Sequence, residues 1–329
     1  MQLRRIVDSA IPTPEEQERL LAEEGAARDA AWQRLAARTE EIRIIDFHTH
    51  TFPEKIAERA LDQLSKDSGT KPFTGGTVQE LQASMQEAGV DLSVVLPVVT
   101  NPAKVAHINV TAAKQNITVD ETGILSFAGI HPEADNYRIL LTVAKRLGFR
   151  GIKLHPDYYR IAFNDIRTKR IVDFASELDL VVVTHAGTDI GLYPPVYCTV
   201  DMVADVIADV HPTKLVAAHM GGWNNWEEVP ERLAGRDVRI DTAFSIGEIA
   251  WLTPDSAKYG FRQLSDEKFV ELVHAMGADR VLFATDSPWA EQKDYVNRIS
   301  NLPFTEEEKR MIFAENAKRL LGLPVADTE

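Results

Sequence analysis

Cysteine is almost absent. Cys198 is the only one in 329 residues, so no disulfide can form within the chain, and a reducing compartment suits it. Long apolar runs are missing too. No stretch approaches the roughly 20 residues of a membrane span, and the N-terminus, MQLRRIVDSA, lacks the apolar core of a secretory signal. Positive charge is scarce: 36 Lys and Arg against 50 Asp and Glu leave a formal net charge of −14. Such a surface repels phosphate backbones and anionic lipid, which argues against nucleic acid and membranes as partners. No Gly-x-Gly-x-x-Gly turn follows the first strand candidate, so a dinucleotide-binding fold loses support. The expectation is a cytoplasmic protein that acts on a small molecule.

What is present is an alternation. After residue 42, short β-rich runs at 42–47, 92–98, 124–130, 150–154, 180–184, 214–218, 237–241 and 280–285 alternate with helical patterns such as 77–89, 135–148, 164–179 and 305–322. Strands alternating with helices imply βαβ units and parallel pairing. The nearly continuous apolar character of the strands implies burial on both faces. Eight such units predict an α/β chain folded as a (β/α)₈ barrel. Residues 1–41 are set apart as an N-terminal helical extension, with 42–329 forming the barrel. Thr13-Pro14-Glu15-Glu16 reads as a helix start. Leu20, Leu21, Ala27, Ala31 and Leu35 then make a partial apolar stripe, suited to lying across the barrel or to pairing in a homodimer.

The histidines fall at the ends of these strands. His48 and His50 end the first, His131 follows the third, His155 the fourth, His185 the fifth and His219 the sixth; Asp241 ends the seventh and Asp286 follows the eighth. The C-terminal strand ends of a barrel gather on one face, where active sites sit. Residues two apart on a strand share a side, so His48 and His50 can chelate one cation. His185 and Asp286 can complete the set from across the mouth. Three nitrogens and one carboxylate suit Zn²⁺ or a similar divalent ion such as Mn²⁺. His155 and His131 are candidates for supporting or substrate contacts. Trp223 could line a pocket or pack the next helix. His107, His211 and His274 read as ordinary hydrogen-bonding histidines. The loops 66–76, 187–199 and 243–263 are expected to shape the pocket.

The stretches IDFHTHTFPEKIAERAL, GIKLHPDYY, VVVTHAG, LVAAHMGGW and VLFATDSPW together resemble the amidohydrolase superfamily, from about Ile44 to Leu323. The resemblance is to the amidohydrolase-related branch that also holds non-oxidative decarboxylases such as aminocarboxymuconate-semialdehyde decarboxylase. It implies a distorted barrel with a divalent metal on His48, His50, His185 and Asp286, and it implies His219 as the catalytic histidine. Two-metal members carry a carboxylated lysine at the end of strand 4, where this chain has Lys153-Leu154-His155-Pro156. The decarboxylase-like branch uses one metal, and one metal is expected here.

Three functions follow. The first is metal-dependent hydrolysis, in which activated water attacks an amide, lactone or cyclic imide carbonyl, with His219 and Asp286 handling the proton. The alternative is non-oxidative decarboxylation of a small unsaturated or aromatic acid, which needs a cationic clamp; Arg160 and Lys153 are the candidates. An arginine near the mouth would favour decarboxylation, and a dry neutral pocket would favour hydrolysis. A catalytically idle metal-binding barrel is the third, and the presence of His219 and Asp286 beside the ligand histidines speaks against it.

Overall fold

The computed structural model describes residues 14–257 and 260–325. Nine short strand segments trace eight strands, because the third is broken at Phe127. They are β1 (Ile45–Thr49), β2 (Leu92–Val95), β3 (Ile124–Ser126 and Ala128–Gly129), β4 (Gly151–Leu154), β5 (Val181–Thr184), β6 (Leu215–Ala217), β7 (Arg239–Asp241) and β8 (Val281–Leu282). Every neighbouring pair is parallel. The sheet closes on itself where Phe47 N–H donates to Phe283 O (2.9 Å), Asp286 N–H to His48 O (2.8 Å) and His50 N–H to Ser287 O (2.7 Å). The expected α/β barrel is therefore present.

The helices obey their sequence signals. The helix Val78–Ala88 starts at Thr77, whose side chain and that of Glu80 form a reciprocal capping box, and stops at Gly89 in the left-handed region. The C-terminal helical run opens on the same box, Thr305 with Glu308, and ends at Gly322. It contains one π-helical turn, Met311–Glu315, which the apolar pattern did not reveal.

Alternate strand residues divide the core in two. Ile152, Leu154, Val182, Leu215, Ala217 and Ile240 pack outward under the surrounding helices. Leu92, Val94, Leu125, Phe127, Val181, Val183, Val216 and Leu282 form a second cluster. Alternation places that second set inside the barrel. The same cluster takes in Ala314, Ala317, Leu320 and Leu321 from the C-terminal run, and Ala31, Trp32 and Leu35 from α1 (Pro14–Ala37). Of the expected α1 stripe, Ala31 and Leu35 are buried and Ala27 is half-buried. The Thr13 cap and the side chains of Leu20 and Leu21 lie outside the described residues.

α1 is thus built into the barrel's core. The Arg150 guanidinium stacks on Trp32 at 4.0 Å from the ring centroid, and Arg34 pairs with Asp120. Trp32→Ala is expected to cost about 3 kcal/mol, the low end for emptying a buried aromatic site. Urea unfolding should show one transition at a lower midpoint. An unchanged midpoint would mean that α1 is an appendage.

Candidate metal centre and cavity

β1 delivers two histidines because its register shifts between Asp46 and Thr49. Strict alternation from Phe47, which belongs to the interior cluster, would turn His48 to the opposite face. The irregularity re-aims it, and His48 reaches Lys153 on β4 and Asp241 on β7. Beneath this point lies Asp46, fully buried. It accepts Thr285 Oγ1 (2.6 Å), Gln292 Nε2 (2.8 Å), and the backbone N–H groups of Thr285 (3.0 Å) and His48 (3.2 Å). Burial pushes this carboxyl up to about 7, against the pull of those four donors. The network fastens the end of β1 to the segment that carries Asp286. Asp46 has no sequence signal in a chain of 50 acids; Asp241 ends the seventh strand, and its place beside His48 gives it a role.

Three histidines have one ring nitrogen tied down. His48 Nδ1 is 2.9 Å from Asp241 Oδ2, His50 Nδ1 is 2.8 Å from Leu96 O, and His219 Nδ1 is 2.9 Å from Ala243 O. Donation from Nδ1 leaves each Nε2 with a free lone pair, the form a metal ligand needs. Burial keeps His48 well below, and His219 below, the usual histidine range, so both are neutral at pH 7. Asp241 holds a second site residue in place, because its Oδ1 accepts the His219 N–H at 2.8 Å. His219 and Asp286 both have left-handed backbone (φ 59° and 68°), a strain of the kind that gathers at functional sites.

Asp286 Oδ1 lies 3.1 Å from His50 Nε2 and 3.6 Å from His48 Nε2. Ligand atoms around a tetrahedral ion with bonds of 2.0–2.1 Å are about 3.3 Å apart, and these separations bracket that value. The residues therefore fit a divalent cation. A positive charge already faces one of them: Lys153 Nζ donates to His48 Nε2 at 3.0 Å. Burial alone would raise the Asp286 carboxyl, but the His50 bond and the neighbouring imidazoles hold it below its ordinary value. It is ionised at neutral pH.

His185 stands in a second group, with His155 and Asp189. Its ring stacks on His155 (centroids 4.4 Å apart, 12° between planes) and lies 4.7 Å from His219, whose ring is 5.1 Å from His48. The imidazoles thus form a continuous arc across the mouth. Asp189 Oδ1 accepts the Gly191 and Leu192 N–H groups (2.8 and 3.0 Å), while Oδ2 faces His155 Nε2 at 3.5 Å. Burial raises Asp189 to about 6. A third conceivable group, His48 with His219 and Asp241, is better read as a hydrogen-bond network, since Asp241 already takes His48 Nδ1 and the His219 N–H.

These residues open onto a cavity of about 730 Å³. Trp223, Phe244, Trp289, Phe52, Ile190 and Leu192 make much of its wall. Trp223 is fixed by Nε1 donating to Phe244 O (2.8 Å) and Gln263 Oε1 (3.1 Å). All three loops expected to shape the pocket contribute. So do two helices that were not expected to: Glu54–Ser68, through Ile56, Gln63 and Leu64, and Val105–Gln115, through His107, Thr111 and Gln115.

Two candidates fall elsewhere. His131 is buried off the cavity, its Nδ1 accepting the Glu133 N–H (3.1 Å) and its ring against Tyr159. Arg160 is exposed at the end of a one-turn helix and does not line the cavity. Alternation sets the direction of Lys153: Lys153 and His155 both line the cavity, while Leu154 packs outward. No arginine is among the lining residues, and Lys153 is the cationic side chain there. Burial lowers its ammonium to about 8, so it remains charged at neutral pH.

A closed parallel barrel with imidazoles and a carboxylate converging at its C-terminal mouth defines the class of metal-dependent barrel enzymes. The chain belongs to the amidohydrolase family, whose family model matches residues 45–323. Comparison with curated proteins gave no match. Among solved structures, a 2,6-dihydroxybenzoate decarboxylase complexed with 2,6-dihydroxybenzoate is 15% identical, covering 85% of this chain and 99% of that one (TM-score 0.61). The 5-carboxyvanillate decarboxylase of Novosphingobium aromaticivorans, complexed with manganese and 4-hydroxy-3-methoxy-5-nitrobenzoic acid, is 14% identical, covering 87% and 97% (TM-score 0.62). A putative 2-pyrone-4,6-dicarboxylic acid hydrolase from Pseudomonas putida is 15% identical, covering 87% and 99% (TM-score 0.56). At these identities the likeness is one of fold. Among the described residues no helix is long and apolar enough to cross a membrane.

Proposed function

We propose that this chain is a metal-dependent, non-oxidative decarboxylase of a small aromatic or unsaturated carboxylic acid. The observation that carries the reading is Lys153. Its ammonium is buried in a largely apolar cavity and forms no ion pair with a described carboxylate; its bond is to His48 Nε2, the nitrogen a metal would claim. Asp241, Asp286 and Asp189 act on the ammonium only from beyond ion-pair distance; a buried charge without a direct partner is costly, and a substrate carboxylate supplies that partner. The decarboxylases among the similar folds, one of them complexed with manganese, support the same reading.

The ligands we assign are His48, His50, His185 and Asp286; zinc or manganese suits the donor set. When bound, the ion supplies electrophilic polarisation of substrate oxygens. The chain does the rest. Lys153 pairs with the departing carboxylate, and the aromatic walls strip it of water. The bond between ring or alkene carbon and carboxyl carbon breaks, its electron pair stays on the former, and CO₂ leaves. Asp286, whose side chain is 14% exposed, passes one proton from solvent to that carbon, with His219 beside it.

Hydrolysis is the second reading. It draws on a specific observation: neutral His219 and ionised Asp286 are both bases at pH 7, as water activation requires, and the cavity lacks an arginine. One experiment separates the two. Metal-reconstituted protein is incubated in D₂O with a panel of carboxyl-¹³C hydroxybenzoates and with lactones. The proposal expects ¹³CO₂ and one deuteron on the product carbon. Ring-opened lactone without ¹³CO₂ would replace it with hydrolysis.

A further inference from the structure

Two buried polar atoms face each other without bonding. Asp157 Oδ2 and His185 Nε2 each lack a hydrogen-bond partner and lie 4.0 Å apart, on side chains 2% and 7% exposed. Leaving two such groups unpaired is expensive, and native interiors rarely do so. A shift of about 1 Å would bring them to ordinary hydrogen-bond distance. The carboxylate is already aimed, because Asp157 Oδ1 accepts the Tyr197 N–H at 3.1 Å. The one-turn helix Pro156–Tyr159 fixes its backbone directly after β4.

We infer that Asp157 is a positioning residue for the metal centre: it takes the Nε2–H of His185 and so leaves Nδ1 of that ring as the donor to the ion. The inference rests on His185 being a ligand, as proposed above. It gives His185 what His48 already has from Asp241 at 2.9 Å, a buried carboxylate behind the ligand that sets its tautomer.

Asp157→Asn tests this with shape preserved. The amide oxygen can keep the Tyr197 bond, which turns the NH₂ group toward His185. A donor facing Nε2 favours the opposite tautomer, with the proton on Nδ1 and no lone pair there for the ion. The expected result is a Kd for Zn²⁺, measured by chelator competition, that rises about 10- to 100-fold, with the Tm of the metal-free protein unchanged. His185→Ala is the control. If His185→Ala weakens Zn²⁺ binding and D157N does not, the positioning role is overturned while the ligand assignment stands. If His185→Ala leaves Zn²⁺ binding intact, the ligand assignment itself has failed. A D157N protein with a lowered metal-free Tm and normal affinity would make Asp157 a loop anchor only. Should D157N not fold, ¹⁵N shifts of His185 in the metal-free wild type decide: Nε2-protonated imidazole supports the inference, and Nδ1-protonated imidazole overturns it.

Discussion

Lys153→Met should abolish most turnover and leave the metal in place. A preorganised charged contact to a reacting group is worth about 10²–10³ in rate, so decarboxylation should fall by about that factor while metal content stays at the wild-type level. The same substitution should make the metal-free protein more stable. Burial has lowered the Lys153 ammonium from 10.5 to about 8. Below about pH 8 the lysine is charged in both the folded and the unfolded chain, and the folded chain bears the full penalty. Between about 8 and 10.5 the unfolded chain binds more protons, so wild-type stability rises with pH through that window. At most about 3 kcal/mol is at stake. Urea unfolding at pH 7 and pH 10, with a chelator present, should show a wild-type gain that K153M lacks. A flat wild-type profile, or a K153M enzyme with full turnover, would remove Lys153 from the account.

The second large effect belongs to His50. Its side chain is 15% exposed, and apart from Asp286 it bonds only to Leu96 O among described residues, so His50→Ala should fold normally. Removing one of the converging donors should cost more than the 10- to 100-fold typical of residues behind a ligand. The purified variant is expected to hold under about a tenth of an equivalent of metal and to turn over at least about 100-fold more slowly. Elemental analysis beside a turnover assay checks both. Wild-type metal content in H50A would take His50 out of the ligand set.

The barrel was legible because parallel strands buried on both faces are written as apolar runs such as Val181-Val182-Val183. The mouth was legible because titratable residues ended those runs. Lys153 and His155 follow plain alternation and share the cavity side, with Leu154 turned to the helices. His48 does not follow it: the register shift after Asp46 turns it inward beside Phe47, and no period of two reports such a shift. The left-handed backbone at His219 and Asp286 is equally invisible to periodicity, since neither is glycine. Asp241 was legible as the end of the seventh strand, but Asp46, Asp157 and Asp189 were not, because a carboxylate has no pattern of its own; burial and the partner it faces give it a role. The cavity walls contributed by Gln63, His107 and Thr111 were hidden for a related reason. On a helix, residues that face a cavity read like any other amphipathic face.

Inductively coupled plasma mass spectrometry of the protein purified without added metal tests the central claim most directly. About one equivalent of zinc or manganese is expected, removed by a chelator and restored on reconstitution. No metal as purified, and none taken up afterwards, would contradict it and reduce the arc of histidines to a neutral hydrogen-bonded lining.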